Sequence, residues 1–390
     1  MAEPQHKPGA PWRAVAAMFA LNGALFGLWA SRIPAFVDRH GIEPGALGLV
    51  LFAMAAGAIL SFPIAGGLSD KMGAARATRR IALVYMVTLW LLPLAPNVWM
   101  LAAALALFGS AHGGMDVTMN AWAAEVESRA GRPVMSSLHA MWSLGAGLGA
   151  ALGWGSVQIG LAPGPQFWGL GLALGAAAMW LAAIAWESTR HHGGPAFAFP
   201  RGILLLVGLV AFGSAIGEGA MADWSAVFLT RVAGATEAQA ALGYAAYSAA
   251  MVAMRLAGDR VVLWFGPVRA VRTGGLLAAA GALVALTLAT PATAILGFMV
   301  MGLGYAVVMP LAFGRAARDP NLSAGRAIAS VATLGYGGVL IGPPVIGAVA
   351  AAFSLPAGFG LIALLALGIA ALAGVLAPPQ ATVPVGRAEA

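Results

Sequence analysis

The 390-residue chain has no cysteine, which excludes disulfides, thiolate metal sites and cysteine nucleophiles. Charge is also scarce, at 9 % of residues against roughly one-quarter in soluble domains. No GxxxxGK[ST] phosphate loop, HExxH pair or Ser/His/Asp set is visible, so the sequence gives no support to an enzyme, a cofactor or a metal site. What fills the chain instead is apolar: 61 % hydrophobic residues, with a mean hydropathy of +0.86. A hydrocarbon core of ~30 Å takes about 20 apolar residues per helix, so the length allows about twelve crossings with short connections. The 53 glycines and 23 prolines fit helices that pack closely and break locally. The first apolar run, Ala14 to Phe36, is too long for the core of a cleavable signal and holds Asn22 and Trp29, so no such signal is expected.

Apolar runs place spans near 14–36, 45–67, 80–95, 98–122, 135–160, 166–186, 202–229, 240–257, 270–290, 293–314, 327–352 and 356–377. Of the 21 Lys and Arg residues, only Arg32, Arg39 and Arg231 fall on one side, and the rest lie in tails, connections or helix ends of the other. The positive-inside rule makes the basic side cytoplasmic, with both termini there. The net charge of +7 is then a topological signal, and no nucleic-acid partner is expected.

Two halves of the sequence align at a nearly constant offset. Gly131-Arg132 followed by Ser136, His139 and Trp142 matches Gly325-Arg326 followed by Ser330, Thr333 and Tyr336. Gly109 and His112 match Gly302 and Tyr305, and Ser69-Asp70-Lys71 echoes Gly258-Asp259-Arg260. The expected fold class is therefore an all-α membrane protein of two six-helix pseudo-symmetric halves in parallel repeat. The halves are residues 1–186 and 202–390, joined by a cytoplasmic linker, 187–201. Its His191 and His192 lack further ligands and read as solvated linker rather than a metal site.

The chemical anomaly lies in the fourth span. Asp116 and Asn120 are four apart and His112 stands one turn earlier, so a helix puts all three on one face. A charge at that depth costs a few kcal/mol even on lenient scales, which favours a protein interior or a water-filled path. The alternative is an inter-helix hydrogen bond that only glues the bundle.

The loop Gly66-Gly67-Leu68-Ser69-Asp70-Lys71-Met72-Gly73 is similar to the signature cytoplasmic loop of the major facilitator superfamily (MFS), and with the repeat and the span count the chain resembles that superfamily over nearly its whole length. Trp29-Ala30-Ser31-Arg32-Ile33-Pro34, Asp116 with Asn120, Glu218-Gly219 with Asp223-Trp224, and Gly342-Pro343-Pro344 resemble a bacterial inner-membrane branch of it. One departure is that Ala74 and Ala75 precede Arg76, Arg79 and Arg80, where the family loop has basic residues at once. The fourth span also lacks the arginine, and the fifth the Gly-Pro pair, of drug/proton antiporters.

The resemblance implies a solute cavity between the halves, lined mainly by spans 1, 4, 7 and 10, with alternating access. Its candidate residues are Asn22, Trp29, Arg32, His112, Asn120, Trp142, Trp224, Tyr247, Tyr305 and Tyr336. Aromatics among them either stack on a flat solute or simply pack. Asp116, Glu218, Asp223 and His139 are the proton-coupling candidates, because a carboxyl whose access to water changes between states exchanges protons as it moves. Asp223 has the alternative of a permanent pair with Arg32, His139 that of a hydrogen bond to Asn120, and Asp116 is expected to face Glu218. Gate candidates are Gly66, Asp70, Lys71, Gly73, Arg132, Asp259, Arg260 and Arg326, with the arginines at 132 and 326 as partners for the two acids.

The reading is thus a monomeric secondary transporter of a small polar solute in the bacterial inner membrane, coupled to protons, with symport ahead of export. A ligand-binding receptor or scaffold that does not translocate is the alternative from another class.

Overall fold

The computed structural model describes residues 9–42, 44–190, 200–235 and 237–379; the linker histidines His191 and His192 fall outside them. Among the described residues nine helices are long and apolar enough to cross a bilayer. One of these, Leu242–Leu288, has 47 residues, about 70 Å of helix at 1.5 Å per residue, or two crossings. With two further helices, the chain forms twelve spans.

The helices are α1 (Ala10–Ala30), α2 (Ile33–His40), α3 (Pro44–Met72), α4 (Ala74–Leu91), α5 (Val98–Ala130), α6 (Met135–Gln158), α7 (Pro163–Leu181), α8 (Ile203–Arg231), α9 (Glu237–Leu288), α10 (Pro291–Tyr305), α11 (Val308–Ala317), α12 (Ala324–Ala352) and α13 (Leu355–Leu372). Span 1 is α1, and α2 is a short helix outside it. Spans 2 to 7 are α3 to α8, the two limbs of α9 are spans 8 and 9, α10 with α11 is span 10, and α12 and α13 are spans 11 and 12.

Proline sets three of the breaks. Proline has no N–H to continue a helix, and α1 stops at Ala30, four residues before Pro34, rather than running on to Phe36. Pro310 acts likewise on Ala306, which splits span 10 at Ala306-Val307, a turn earlier than the proline itself. In α9 the break falls at Gly266, with φ 76° and ψ 162°, a left-side conformation glycine takes freely in front of Pro267. The helical run continues unbroken from span 8 to that glycine, well past residue 257.

Packing repeats between the halves: span 1 lies along span 5 and span 7 along span 11, while span 2 lies along span 4 and span 8 along span 10. Glycines permit these approaches. A Cβ on Gly109 would meet the Met54 carbonyl oxygen at 1.9 Å, and one on its repeat counterpart Gly302 would meet that of Tyr247 at 2.3 Å. The seam of α1 on α6 is similarly close. Cβ atoms at Gly23 and Gly145 would each lie 2.1 Å from a backbone oxygen of the other helix, Trp142 and Ala20 respectively.

Gly145→Val is therefore expected to lower stability by more than the ~1–3 kcal/mol of ordinary overpacking, since backbone cannot give way as a side chain can. Gly147→Val, two residues on where nothing lies within 4 Å, is the control and is expected to change little. Thermal unfolding of the purified variants checks this; equal midpoints would contradict it.

Candidate solute and proton site

Asp116 and Asn120 project from the same face of α5, as the four-residue spacing requires, and both are buried. Asn120 Nδ2 donates to the Asp116 backbone carbonyl at 2.9 Å and to its carboxylate Oδ1 at 3.1 Å. A carbonyl only accepts, so this fixes the amide orientation and leaves Asn120 Oδ1 for His139 Nε2, 3.0 Å away on α6. His139 must then carry its proton on Nε2. From the other half, the Tyr336 hydroxyl on α12 donates to Asp116 Oδ2 at 3.3 Å, with Phe62 edge-on to the Tyr336 ring. The hydrogen bonds thus run toward Asp116 from both halves.

Glu218 on α8 forms the second centre. Its Oε2 pairs with Arg255 Nη2 at 3.2 Å and its Oε1 accepts from Ser214 at 3.0 Å. Arg255, on the first limb of α9, also donates from Nη1 to Ser143 of α6 at 2.9 Å and from Nε to the Ala306 carbonyl at 3.3 Å. That carbonyl is the one Pro310 deprives of its helical donor, so the break in span 10 supplies a ligand for the arginine. Ser143 completes a second link between the halves. The fully buried Tyr305 rests against Gly217, and among the described residues the hydroxyls of Tyr305 and the neighbouring Tyr247 have no hydrogen-bond partner.

The other expected cavity residues divide. Asn22 accepts from Trp142 Nε1 at 2.8 Å and donates to the His112 carbonyl at 3.2 Å, which ties spans 1, 4 and 5 together. His112 Nδ1 is 3.0 Å from the Tyr85 hydroxyl. Trp224 is half-buried against Gly347. Trp29 does not line a cavity: at 1 % exposure it packs on Phe36 and Phe108. Arg32 is not paired with Asp223. Its Nη2 donates to the Leu161 carbonyl at 2.9 Å, while Asp223 is exposed. Asp116 and Glu218 are each engaged with their own set of partners, above.

At the arginine-rich end two contacts between the halves involve the repeat-related acids Asp70 and Asp259. Asp70 Oδ2 pairs with Arg326 Nε at 2.7 Å beside the close approach of Gly66 to Gly325. Asp259 instead takes the backbone N–H groups of Ser136 and Ser137, at 2.9 and 3.2 Å, and so caps α6 from the opposite half. Arg132, Lys71 and Arg260 are exposed, and Gly73, with φ 86°, turns the chain between α3 and α4. Arg79 is not at this interface: it holds the segment after α7 through the carbonyls of Ala182 and Ile184, each at 3.0 Å.

Sequence reading missed Arg255, Ser143, Glu127 and Arg318. Glu127 accepts from Val134 and Met135 N–H and pairs with Arg318 across the halves. For Arg255 a signal existed: an arginine deep within the run AAMVAMRLAG, which had been counted as topological charge.

A twelve-helix, two-half membrane bundle with buried polar centres shared between its halves defines a membrane transporter. Residues 14–324 match the family model for the Major Facilitator Superfamily, and the chain belongs to that family. It is 46 % identical over 369 residues to an uncharacterized transporter, y4wD, of Sinorhizobium fredii, covering 94 % of this chain and 98 % of that protein. An uncharacterized MFS-type transporter of Yersinia pestis is 37 % identical over 91 % of this chain and 93 % of its own. The membrane protein MosC of Rhizobium meliloti is 33 % identical over 91 % of this chain and 87 % of its own. Among solved structures, FucP in its outward conformation superposes with a TM-score of 0.78 at 16 % identity, over 95 % of this chain and 99 % of that one. The human organic anion transporter MFSD10 does so with a TM-score of 0.77 at 17 % identity, over 94 % of this chain and 100 % of that one. These last two likenesses are of fold.

Proposed function

We propose that the protein is a proton-coupled secondary transporter, a monomeric symporter of a small polar solute in the bacterial inner membrane. Its halves are residues 1–186 and 202–390, both termini are cytoplasmic, and 187–201 is the linker. The observation that carries the reading is that each acid, Asp116 buried and Glu218 half-buried, is bonded to a network spanning both halves: Asp116 to Tyr336 directly, and Glu218 to Ser143 through Arg255. Neutralising either acid weakens a contact between the halves, so proton binding biases their relative position. Solute binds between the two centres, and His139 with Asn120 orients Asp116.

On this reading the contacts of Asp70 and Asp259 hold the cytoplasmic ends together and favour a state closed to the cytoplasm. Asp259→Ala is expected to remove a helix cap worth ~1 kcal/mol, about a fivefold loss in the share of that state. Accessibility of a cysteine introduced at the inner end, in a chain that has none of its own, measures the change. Unchanged accessibility would remove Asp259 from the gate.

A thermal-shift screen over sugars, amino acids, nucleosides and organic acids identifies a solute. Counterflow of that solute in proteoliposomes then tests translocation. Saturable binding without counterflow would favour a receptor and sink the transport reading.

A further inference from the structure

A cavity of about 220 Å³ lies at the arginine-rich end, lined by neither Asp116 nor Glu218, and its walls come from both halves. Glu127 and Ser136 face it from the first six spans; Asp259, Leu263, Leu311 and Arg315 face it from the last six. Its acids are already engaged. Glu127 holds the Val134 and Met135 N–H groups and Arg318, and Asp259 holds Ser136 and Ser137. Asp319, next to Arg315 in the electrostatics of this end, spends Oδ1 on the N–H groups of Asn321 and Leu322.

Arg315 is different. It sits in the last turn of α11, is 8 % exposed, and among the described residues has no hydrogen-bond partner at Nε or Nη1. A buried donor left unmatched costs more than a bond forgone, and a guanidinium stays charged, so such a group marks an anion's place. The remaining wall is mostly apolar, with Val262, Leu263, Pro310 and Leu311. That combination fits a carboxylate carried on a compact apolar body better than a hydrated inorganic ion.

We propose that this cavity is a regulatory site for a small organic carboxylate, which seats its anion on Arg315. Because both halves form the walls, the site is complete only while these ends are together. A ligand there binds that state over the state with the ends apart, and holds the carrier against its cycle. On the orientation given above, the ligand arrives from the cytoplasm. The inference rests on that reading for the side of the membrane alone.

Benzoate is the probe and benzyl alcohol its uncharged control, applied to the purified full-length protein in nanodiscs. Two readouts are taken: the unfolding midpoint, and the separation of spin labels on Arg76→Cys and Arg269→Cys, two exposed positions at this end. Benzoate is expected to raise the midpoint saturably and to narrow the labels toward the short distance, with no effect from benzyl alcohol. Arg315→Gln should reduce the apparent affinity at least about tenfold. Should Arg315→Gln fail to fold, Leu311→Trp, which fills the cavity and keeps the arginine, is expected to abolish the response. An equal response in these variants, an equal effect of benzyl alcohol, or no saturable shift would overturn the proposal. Neither readout needs transport, so benzoate binding by a protein that moves no solute would defeat the transport reading alone.

Discussion

Arg255→Leu is expected to destabilise the protein by about 3 kcal/mol, the usual cost of breaking a buried pair by removing one partner. The arginine side chain is 8 % exposed and Glu218 24 %, so the carboxylate left behind has little water to turn to. Two further acceptors are stranded at once, the Ala306 carbonyl and Ser143 Oγ. Adding Glu218→Leu to the same chain should restore most of the loss, because a hydrophobic replacement of the whole pair carries no uncompensated charge. Thermal unfolding of the two variants decides the matter. A double variant no more stable than the single one would mean that Arg255 acts through Ala306 or through packing, and not through Glu218.

Asp116→Asn carries the second large effect. An asparagine keeps the side-chain size and an oxygen to accept from Tyr336, so the contact between α5 and α12 survives. What it cannot do is gain and lose a proton. Counterflow, which needs only solute exchange, is therefore expected to stay within about threefold of the native rate, while accumulation driven by a pH gradient falls to the level seen without one. Tyr336→Phe should behave in the opposite way: coupling persists, and removal of one hydrogen bond of ~1 kcal/mol weakens the contact between halves. Loss of counterflow in Asp116→Asn would make the acid a structural or solute-binding group instead.

The fold was readable because lipid leaves so few options. Apolar runs of span length, arginines concentrated on one side and glycines at matching repeat positions specify the twelve helices, and Gly109 and Gly302 do occupy equivalent crossings. Breaks were less readable. A proline ring crowds the carbonyl four residues back, so the helices before Pro34 and Pro310 end at Ala30 and Tyr305, ahead of the prolines themselves. The polar stripe of α5 was also legible, since its members are one turn apart, and so was the nearness of His139 to Asn120. Of the partners across the halves, Arg326 for Asp70 was legible from the repeat, whereas Tyr336 for Asp116 was not: the two are 220 residues apart, and no local period links them. Arg255 escaped for a different reason. A charge in a long helix looks the same in sequence whether it marks the cytoplasmic edge or fills a buried pair, and only the unbroken helix to Gly266 shows how far inside it lies. Trp29 errs the other way, because a tryptophan beside a polar turn reads as a ligand contact and here it packs in the core.

The account's central claim is that Asp116 and Glu218 carry the coupling proton. It is tested most directly by solute-driven proton movement in proteoliposomes with no imposed gradient, using the solute found by thermal shift. Addition of external solute is predicted to alkalinise the outside medium as solute enters, and the Asp116→Asn/Glu218→Gln variant is predicted to move solute without any pH change. Solute entry without alkalinisation in the native protein, or an unchanged pH signal in the double variant, would contradict the claim.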